Sequence, residues 1–374
     1  IPVWIIFISS FKGGGAEKVA RLLANSAASR VPVIFAYVHG EAGNEPKHRN
    51  CTFLKLSASS TLTSIPVFWK LVVRKRPTSI IAFGNTCVMV AAIVRLLTIR
   101  NFMLVGSERA NLSFNKYMNK WFGLYKMVLR LSFLICDKIH CVSEGTKQDL
   151  CKVLDIPANK VKVIVNPAPK AINSDALVDD PTADFLSSLE EPTIFAVGRL
   201  APQKDYQLLL SSFADLQKSK KCNLVIFGQG NQLSTLQSLC EKLGIKERVY
   251  FMGFVDSPFR YSKYADLFVL SSIYEGYPNV LVEALSVGMS VVSSDCDFGP
   301  REILVGNLSD RLFRVGDQRS LTKPDPRRVS NSGSRTAVPR RRVRTECACW
   351  WGTPATQEAS DRPRAGPAES RSSL

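Results

Sequence analysis

The chain has 374 residues, 45% of them hydrophobic and 22% charged, and a formal net charge of +17. That length predicts two domains of ordinary size, and that composition excludes a fibrous or wholly disordered protein. No uninterrupted apolar run reaches the ~18 residues of a membrane-crossing helix. Ten cysteines without a CxxC pair, beside only three histidines, favour buried free thiols in a reducing cytoplasm over a zinc site.

The predicted elements alternate strand and helix, twice over. Short, apolar, β-branched runs at 3–9, 31–38, 79–83, 102–107 and 138–143 read as parallel strands covered on both faces. The first of them reads as a core strand, not a signal peptide, because no small-residue cleavage site follows. A helical pattern at 16–28 follows that strand, and KVKVIVNP (160–167) closes the half. The polar stretch 168–192, with Pro169, Pro181 and an acidic run at 178–184, reads as an interdomain linker. The pattern then restarts with strands at 193–200, 223–230, 249–254, 267–272 and 290–295 and helices at 206–218, 231–244 and 278–287. The expected architecture is therefore α/β: two doubly wound Rossmann-like domains, 1–167 and 193–317, facing across a cleft. After VGD (315–317) the apolar periodicity stops, and 318–374 reads as a disordered basic tail. That tail holds twelve Lys/Arg and five Asp/Glu, a net +7, so much of the positive charge is segregated there. Anionic lipid or anionic substrates account for the rest at least as well as nucleic acid, and no specific nucleic acid is expected.

The richest stretch is EGYPNVLVEAL (275–285). Glu275 lies just before a helix start predicted at Pro278, Glu283 lies inside that helix, and Gly288 is a natural stop. A strand–loop–helix aims backbone N–H groups and the positive helix end at an anion, while Glu283, a turn and a half in, suits paired ribose hydroxyls. The solvated surface helix is the plain alternative. KGGGAEK (12–18) puts Gly13, Gly14 and Gly15 between a strand and a helix, either to admit an anion or simply to turn. VGRLAPQKDY (197–206) puts Arg199 and Lys204 on one loop, a pair able to clamp a diphosphate. Gly228 and Gly230 in FGQGNQ divide evenly between turn formers and ligand approach. VGSERAN (105–111) places Glu108 and Arg109 at a strand end facing the cleft, for a sugar or for a salt bridge. His140 reads as a sheet histidine. The run 115–130 interleaves Lys and Arg with Tyr, Trp and Phe, which suits either an anionic membrane surface or ordinary packing.

Taken together, GGGAEK, CVSEGTKQDL with VIVNP, VGRLAPQKDY, FGQG, FMGF, ADLFVLSSIYEGYPNVLVEAL and GPREIL resemble the family 4 retaining glycosyltransferases of the GT-B fold, over residues 3–317. The resemblance implies a nucleotide-sugar donor, with UDP the expected nucleotide, held by the second domain, and an acceptor held by the first. Glu283 would bind the ribose, Arg199 and Lys204 the diphosphate, and Glu275, with Gly276, Tyr277 and Asn279, the transferred sugar. The backbone at Phe254 and Val255 would frame the base, and Gly13 to Gly15 would close over the phosphates. Such enzymes retain anomeric configuration through an oxocarbenium-like transition state, with no metal, cofactor or protein nucleophile. GPREIL (299–304) is similar to bacterial members acting in surface-polysaccharide or O-antigen assembly, whose acceptor is a lipid-linked glycan at the inner membrane face. Two departures stand out. The first-domain strand end reads GSERAN where many relatives carry a His, and the pattern of relatives, which continue for about two more helices, ends at VGD. A chain that binds a nucleotide sugar without turning it over, an epimerase, and a nucleic-acid binder driven by the tail are the other readings, the last of them ranked lowest.

Overall fold

The computed structural model describes residues 2–11, 14–40, 48–98, 101–109, 112–115, 122–167 and 180–322. The first domain runs β1 (Trp4–Phe11), α1 (Gly15–Ala28), β2 (Val33–Gly40), β3 (Cys51–Lys55), α2 (Ile65–Lys75), β4 (Ser79–Phe83), α3 (Asn85–Leu97), β5 (Met103–Glu108), α4 (Leu112–Asn115), α5 (Phe122–Ile135), β6 (Lys138–Cys141), α6 (Glu144–Leu154) and β7 (Val161–Val163). The second runs α7 (Pro181–Ser187), β8 (Thr193–Val197), α8 (Tyr206–Gln217), β9 (Asn223–Phe227), α9 (Leu233–Lys242), β10 (Val249–Gly253), β11 (Leu267–Leu270), α10 (Asn279–Ser286), β12 (Val291–Ser294), α11 (Pro300–Ile303), β13 (Leu312–Phe313) and α12 (Gln318–Thr322).

Each domain is one parallel sheet, ordered β3-β2-β1-β4-β5-β6-β7 in the first and β10-β9-β8-β11-β12-β13 in the second. Strand alternation sends successive side chains to opposite faces. In β1, Ile5 and Phe7 enter one core while Ile6 and Ile8 enter another. In β8, Ile194 and Ala196 go to one side and Phe195 to the other. Helices on both faces explain why these strands are continuously apolar. Strand order reverses between β1 and β4 and again between β8 and β11. The crevice at such a reversal, at the carboxyl ends of the strands, is where doubly wound sheets bind ligands. The glycine, Arg/Lys and glutamate motifs sit on the loops after β1, β8 and β11.

Two boundaries differ from the sequence expectation, and two strands are added to it. The stretch 168–192 is not all linker: α7 is part of the second domain, with Asp180 capping it through Thr182 and Ala183 and with Ala183 and Leu186 buried beside Phe195 and Phe227. A few short residues sufficed to make that helix, which the prolines and acids concealed. The second domain also extends past 317. Leu321 of α12 is buried in its core, and Gln318 Nε2 donates to Asp215 Oδ2 at 2.6 Å. Residues 323–374, expected as tail, lie outside the described residues. Strands β3 and β13 escape the apolar pattern because β3 is an edge strand with no fully buried residue, Thr52 and Lys55 being exposed, and β13 has two residues.

The loop after β9 explains one glycine. Gly228 has φ +151°, and a Cβ there would lie 1.9 Å from the carbonyl oxygen of Gly198. Its N–H donates to the Gly253 carbonyl at 2.7 Å, so the β8, β9 and β10 loops are stacked backbone on backbone. Gly228→Ala is expected to lower unfolding free energy by roughly 2–4 kcal/mol through strain and overpacking. Urea denaturation of the variant checks this, and an unchanged midpoint would contradict it.

Candidate active-site cleft

The site is built from two helix N-termini that meet. Gly14 caps α1, and Glu17 Oε2 accepts from the Gly14 N–H at 2.8 Å. Gly15 begins α1, and a Cβ there would lie 2.9 Å from Asn279 Nδ2, the first residue of α10. The glycine therefore admits close approach of the two helices, while Gly13 lies outside the described residues. One turn inside these ends, Lys18 Nζ lies 3.3 and 3.4 Å from the two carboxylate oxygens of Glu283. Glu283 is buried, and burial raises its pKa against the opposing pull of Lys18.

The second carboxylate has a cation of its own. Lys204 Nζ donates to Glu275 Oε1 at 2.6 Å, and Ser272 Oγ donates to the same oxygen at 2.6 Å. Both members of the ion pair are largely buried. The loops that carry them are laced together: Ser271 Oγ donates to the Lys204 carbonyl at 2.7 Å, Ile273 N–H to the Gln203 carbonyl at 2.8 Å, and Gln203 Nε2 to the Tyr274 carbonyl at 2.9 Å. Arg199 lies on the same loop, exposed, and its side chain makes no ion pair among the described residues. Phe254 is exposed and Val255 half-buried just after β10, beside Asp256, which reaches Arg21 of α1 at 3.9 Å.

The first domain faces this motif with two brackets. Arg109 Nη2 donates to Asn166 Oδ1 at 2.8 Å, Asn166 Nδ2 to Asn279 Oδ1 at 2.6 Å, and Asn279 Nδ2 to the Gly15 carbonyl at 3.2 Å. The Arg109 guanidinium lies 5.4 Å over the Phe83 ring, and burial pushes its pKa down to about 10. Further along, Ser143 Oγ, the N-cap of α6, donates to the Gly276 carbonyl at 2.9 Å. Glu302 accepts from the Glu144 and Gly145 N–H groups at 2.8 and 2.9 Å, a carboxylate at the positive end of α6. Tyr277 stands half-buried near it, its pKa raised by burial first and by Glu302 second.

The structure thus brings together Gly14, Gly15, Arg109, Lys204, Glu275, Gly276, Asn279 and Glu283, with Arg199 and Tyr277 on the same loops. One expectation of exposure is corrected. Glu108 does not face the cleft: it is buried, with Oε1 accepting from the Arg109 N–H at 2.9 Å. Asn279 pairs both ends of its side-chain amide with the first domain, through Asn166 and the Gly15 carbonyl. His140 sits in the sheet, Nε2 to the Ile164 carbonyl at 2.8 Å and Nδ1 to Ser107 Oγ at 3.0 Å. A carbonyl only accepts, so Nε2 carries the proton and Ser107 donates to Nδ1. Lys18, Ser143, Asn166 and Glu302 were not singled out. All four lie within motifs quoted above, but a motif names no partner. Among the described residues no three His, Cys, Asp or Glu side chains gather as a metal site.

Two parallel α/β domains whose motif loops converge at both points of strand reversal define a protein of the GT-B class. Comparison with known proteins identifies the family. The family model described as Glycosyltransferase Family 4 matches residues 13–169, and that described as Glycosyl transferases group 1 matches residues 182–323. The chain belongs to the family 4 glycosyltransferases. It is 32% identical over 212 residues to an uncharacterized glycosyltransferase of Methanocaldococcus jannaschii, covering 54% of this chain and 52% of that one. It is 29% identical over 209 residues to N-acetylgalactosamine-N,N'-diacetylbacillosaminyl-diphospho-undecaprenol 4-alpha-N-acetylgalactosaminyltransferase of Campylobacter jejuni, covering 56% and 53%. The chain therefore spans about half the length of these curated relatives. Among solved structures, Anabaena Alr3699/HepE in complex with UDP-glucose superimposes with a TM-score of 0.68 at 20% identity, covering 85% of this chain and 87% of that one, a likeness of fold.

Proposed function

We propose that this chain is a retaining glycosyltransferase that moves a sugar from a nucleotide-diphosphate sugar, with UDP as the nucleotide, to a lipid-linked or growing glycan acceptor in cell-surface polysaccharide assembly. The observation that carries the reading is the paired arrangement of the two motif glutamates, Glu275 on Lys204 and Glu283 on Lys18, where the loops of both sheet reversals meet. Arg199 and Lys204 would neutralise the charge that grows on the departing diphosphate, in place of a metal ion or other cofactor. Glu283 would accept from the ribose hydroxyls, Glu275 would stand against the transferred sugar, and the backbone at Phe254 and Val255 would flank the base. Most of the chemistry is then orientation and electrostatic stabilisation, with no protein nucleophile. The Campylobacter relative's name specifies an undecaprenol-linked acceptor, and the Anabaena structure holds UDP-glucose. Both support the donor and acceptor classes chosen here.

A membrane-borne acceptor suits the surface of α5. Leu129 and Phe133 point to the core while Leu124, Met127 and Leu131 stay exposed, with Lys126 and Arg130 exposed beside them. Residues 116–121 of the expected basic segment lie outside the described residues. No helix among the described residues is long and apolar enough to cross a membrane. The exposed apolar and basic stripe supports peripheral attachment to the anionic inner face of the plasma membrane, on the cytoplasmic side, as part of this reading.

The test is a panel of UDP-sugars offered to the purified full chain with and without a polyprenyl-diphosphate-linked glycan. Release of UDP only when acceptor is present, with an α-linked product from an α-linked donor, is the expected result. Isomerised nucleotide sugar without acceptor would replace the transferase by an epimerase, and binding without release for every pair would replace it by a nucleotide-sugar binder.

A further inference from the structure

We propose that Lys18 is a switching cation: it is held on Glu283 in the free protein and passes to the diphosphate when the donor's ribose takes that carboxylate. The inference rests on the reading of Glu283 as the ribose acceptor. It starts from the geometry of the pair. Lys18 Nζ lies nearly equidistant from the two oxygens of Glu283, at 3.3 and 3.4 Å. That bridging position is the one a vicinal diol uses when each hydroxyl donates to one carboxylate oxygen. Ammonium and diol therefore compete for the same lone pairs of a buried group.

The displaced ammonium has a short way to go. Lys18 is the fourth residue of α1, and the first residue of α1, Gly15, is in contact with the first residue of α10 through Asn279. A nucleotide whose ribose sits on Glu283 carries its phosphates, on the same ribose, into the space bounded by these two helix ends, which themselves favour anions. A lysine is a point charge on a flexible four-carbon stem with three rotatable donors, so it can change partner while its backbone stays fixed. The charges favour the exchange as well. In the free protein Lys204 is matched by Glu275 and Lys18 by Glu283, which leaves Arg199 as the exposed cation of the motif loops among the described residues. A diphosphate adds at least two negative charges, and once neutral hydroxyls satisfy Glu283, Lys18 is left without an anionic partner of its own.

The exchange makes a prediction that a merely structural bracket does not. In Lys18→Met, a nucleoside diphosphate loses a cation, whereas a nucleoside loses a competitor. Calorimetry with UDP and uridine on the full chain is expected to show UDP weakened at least about tenfold, the scale of one hydrogen bond to a charged group, with uridine bound as tightly as by the parent or more tightly. Lys18→Arg is expected to recover most of the UDP affinity, and its folding, checked by circular dichroism, guards against a collapsed Met variant. Parallel weakening of UDP and uridine in Lys18→Met, or unchanged UDP affinity, would overturn the proposal. Glu283→Gln separates the two levels: if it keeps full affinity for uridine, the ribose reading itself fails, whereas loss of uridine binding there with parallel effects in Lys18→Met leaves that reading and removes only the switch.

Discussion

Lys204→Ala is expected to lower kcat/KM for sugar transfer by roughly 10²–10³-fold, the cost of removing one preorganised group that meets charge developing on a leaving group. Two losses combine. The departing diphosphate keeps only Arg199 from that loop, and the buried Glu275 keeps only the Ser272 hydroxyl at 2.6 Å. A carboxylate stripped of its cation in the interior is costly: breaking a buried pair destabilises by roughly 3–5 kcal/mol. Lys204 and Glu275 side chains are 14% and 9% exposed, so solvent offers little relief. Steady-state kinetics and urea denaturation should therefore move together in the Ala variant. Lys204→Met is expected to share the stability loss, because it restores the packing but not the charge. An Ala variant with unchanged kcat/KM would show that this cation does not face the leaving group.

The second large effect is on donor affinity. Glu283→Gln keeps the shape of the side chain and removes the charge that two ribose hydroxyls would meet. Hydrogen bonds to a charged group contribute about 1.5–3 kcal/mol, so the donor KM should rise by about 10- to 100-fold, with a smaller change in kcat. The pH dependence follows from the direction of the Glu283 shift. Burial raises its pKa above the ordinary value of 4.5, with Lys18 opposing. Acidification should therefore weaken donor binding at a pH above that of an ordinary glutamate, and the Gln variant should lack this limb. Stability carries the opposite sign. A carboxyl with a raised folded pKa binds its proton more tightly in the folded state, so its favourable contribution is full below about 4.5 and fades as pH rises through the raised value. Donor titrations and denaturation curves across that window check the two signs separately.

Much of this was legible in the linear order of residues. Runs such as SIIAF and LFVLSS are strands wherever both faces of a sheet are covered, because the apolar periodicity leaves no solvent side. Glycines after the first strand, the Arg199 and Lys204 loop after the eighth, and Glu275 ahead of a proline-started helix are local patterns, and α10 indeed starts at Asn279 with Pro278 as its cap. The helix α7 was hidden for the converse reason. Its seven residues carry two prolines' worth of local warning nearby, and only burial of Ala183 and Leu186 against the second sheet makes it pay its way.

The sequence by itself thus determined the α/β class, the doubling of the domain and the loops on which the cleft chemistry stands, because strand burial and helix starts are set by residues a few positions apart. Tertiary structure decided how those loops pair. Lys18 meets Glu283 across 265 residues, Asn166 meets Asn279 across 113, and Glu302 reaches the start of α6 across 158. It also turned Glu108 into the interior and Asn279 toward the first domain. No local pattern encodes such choices. They depend on which helix ends and loops face each other once the chain is packed: Lys18 reaches Glu283 between the two sheets, and Lys204 reaches Glu275 between two loops of the second.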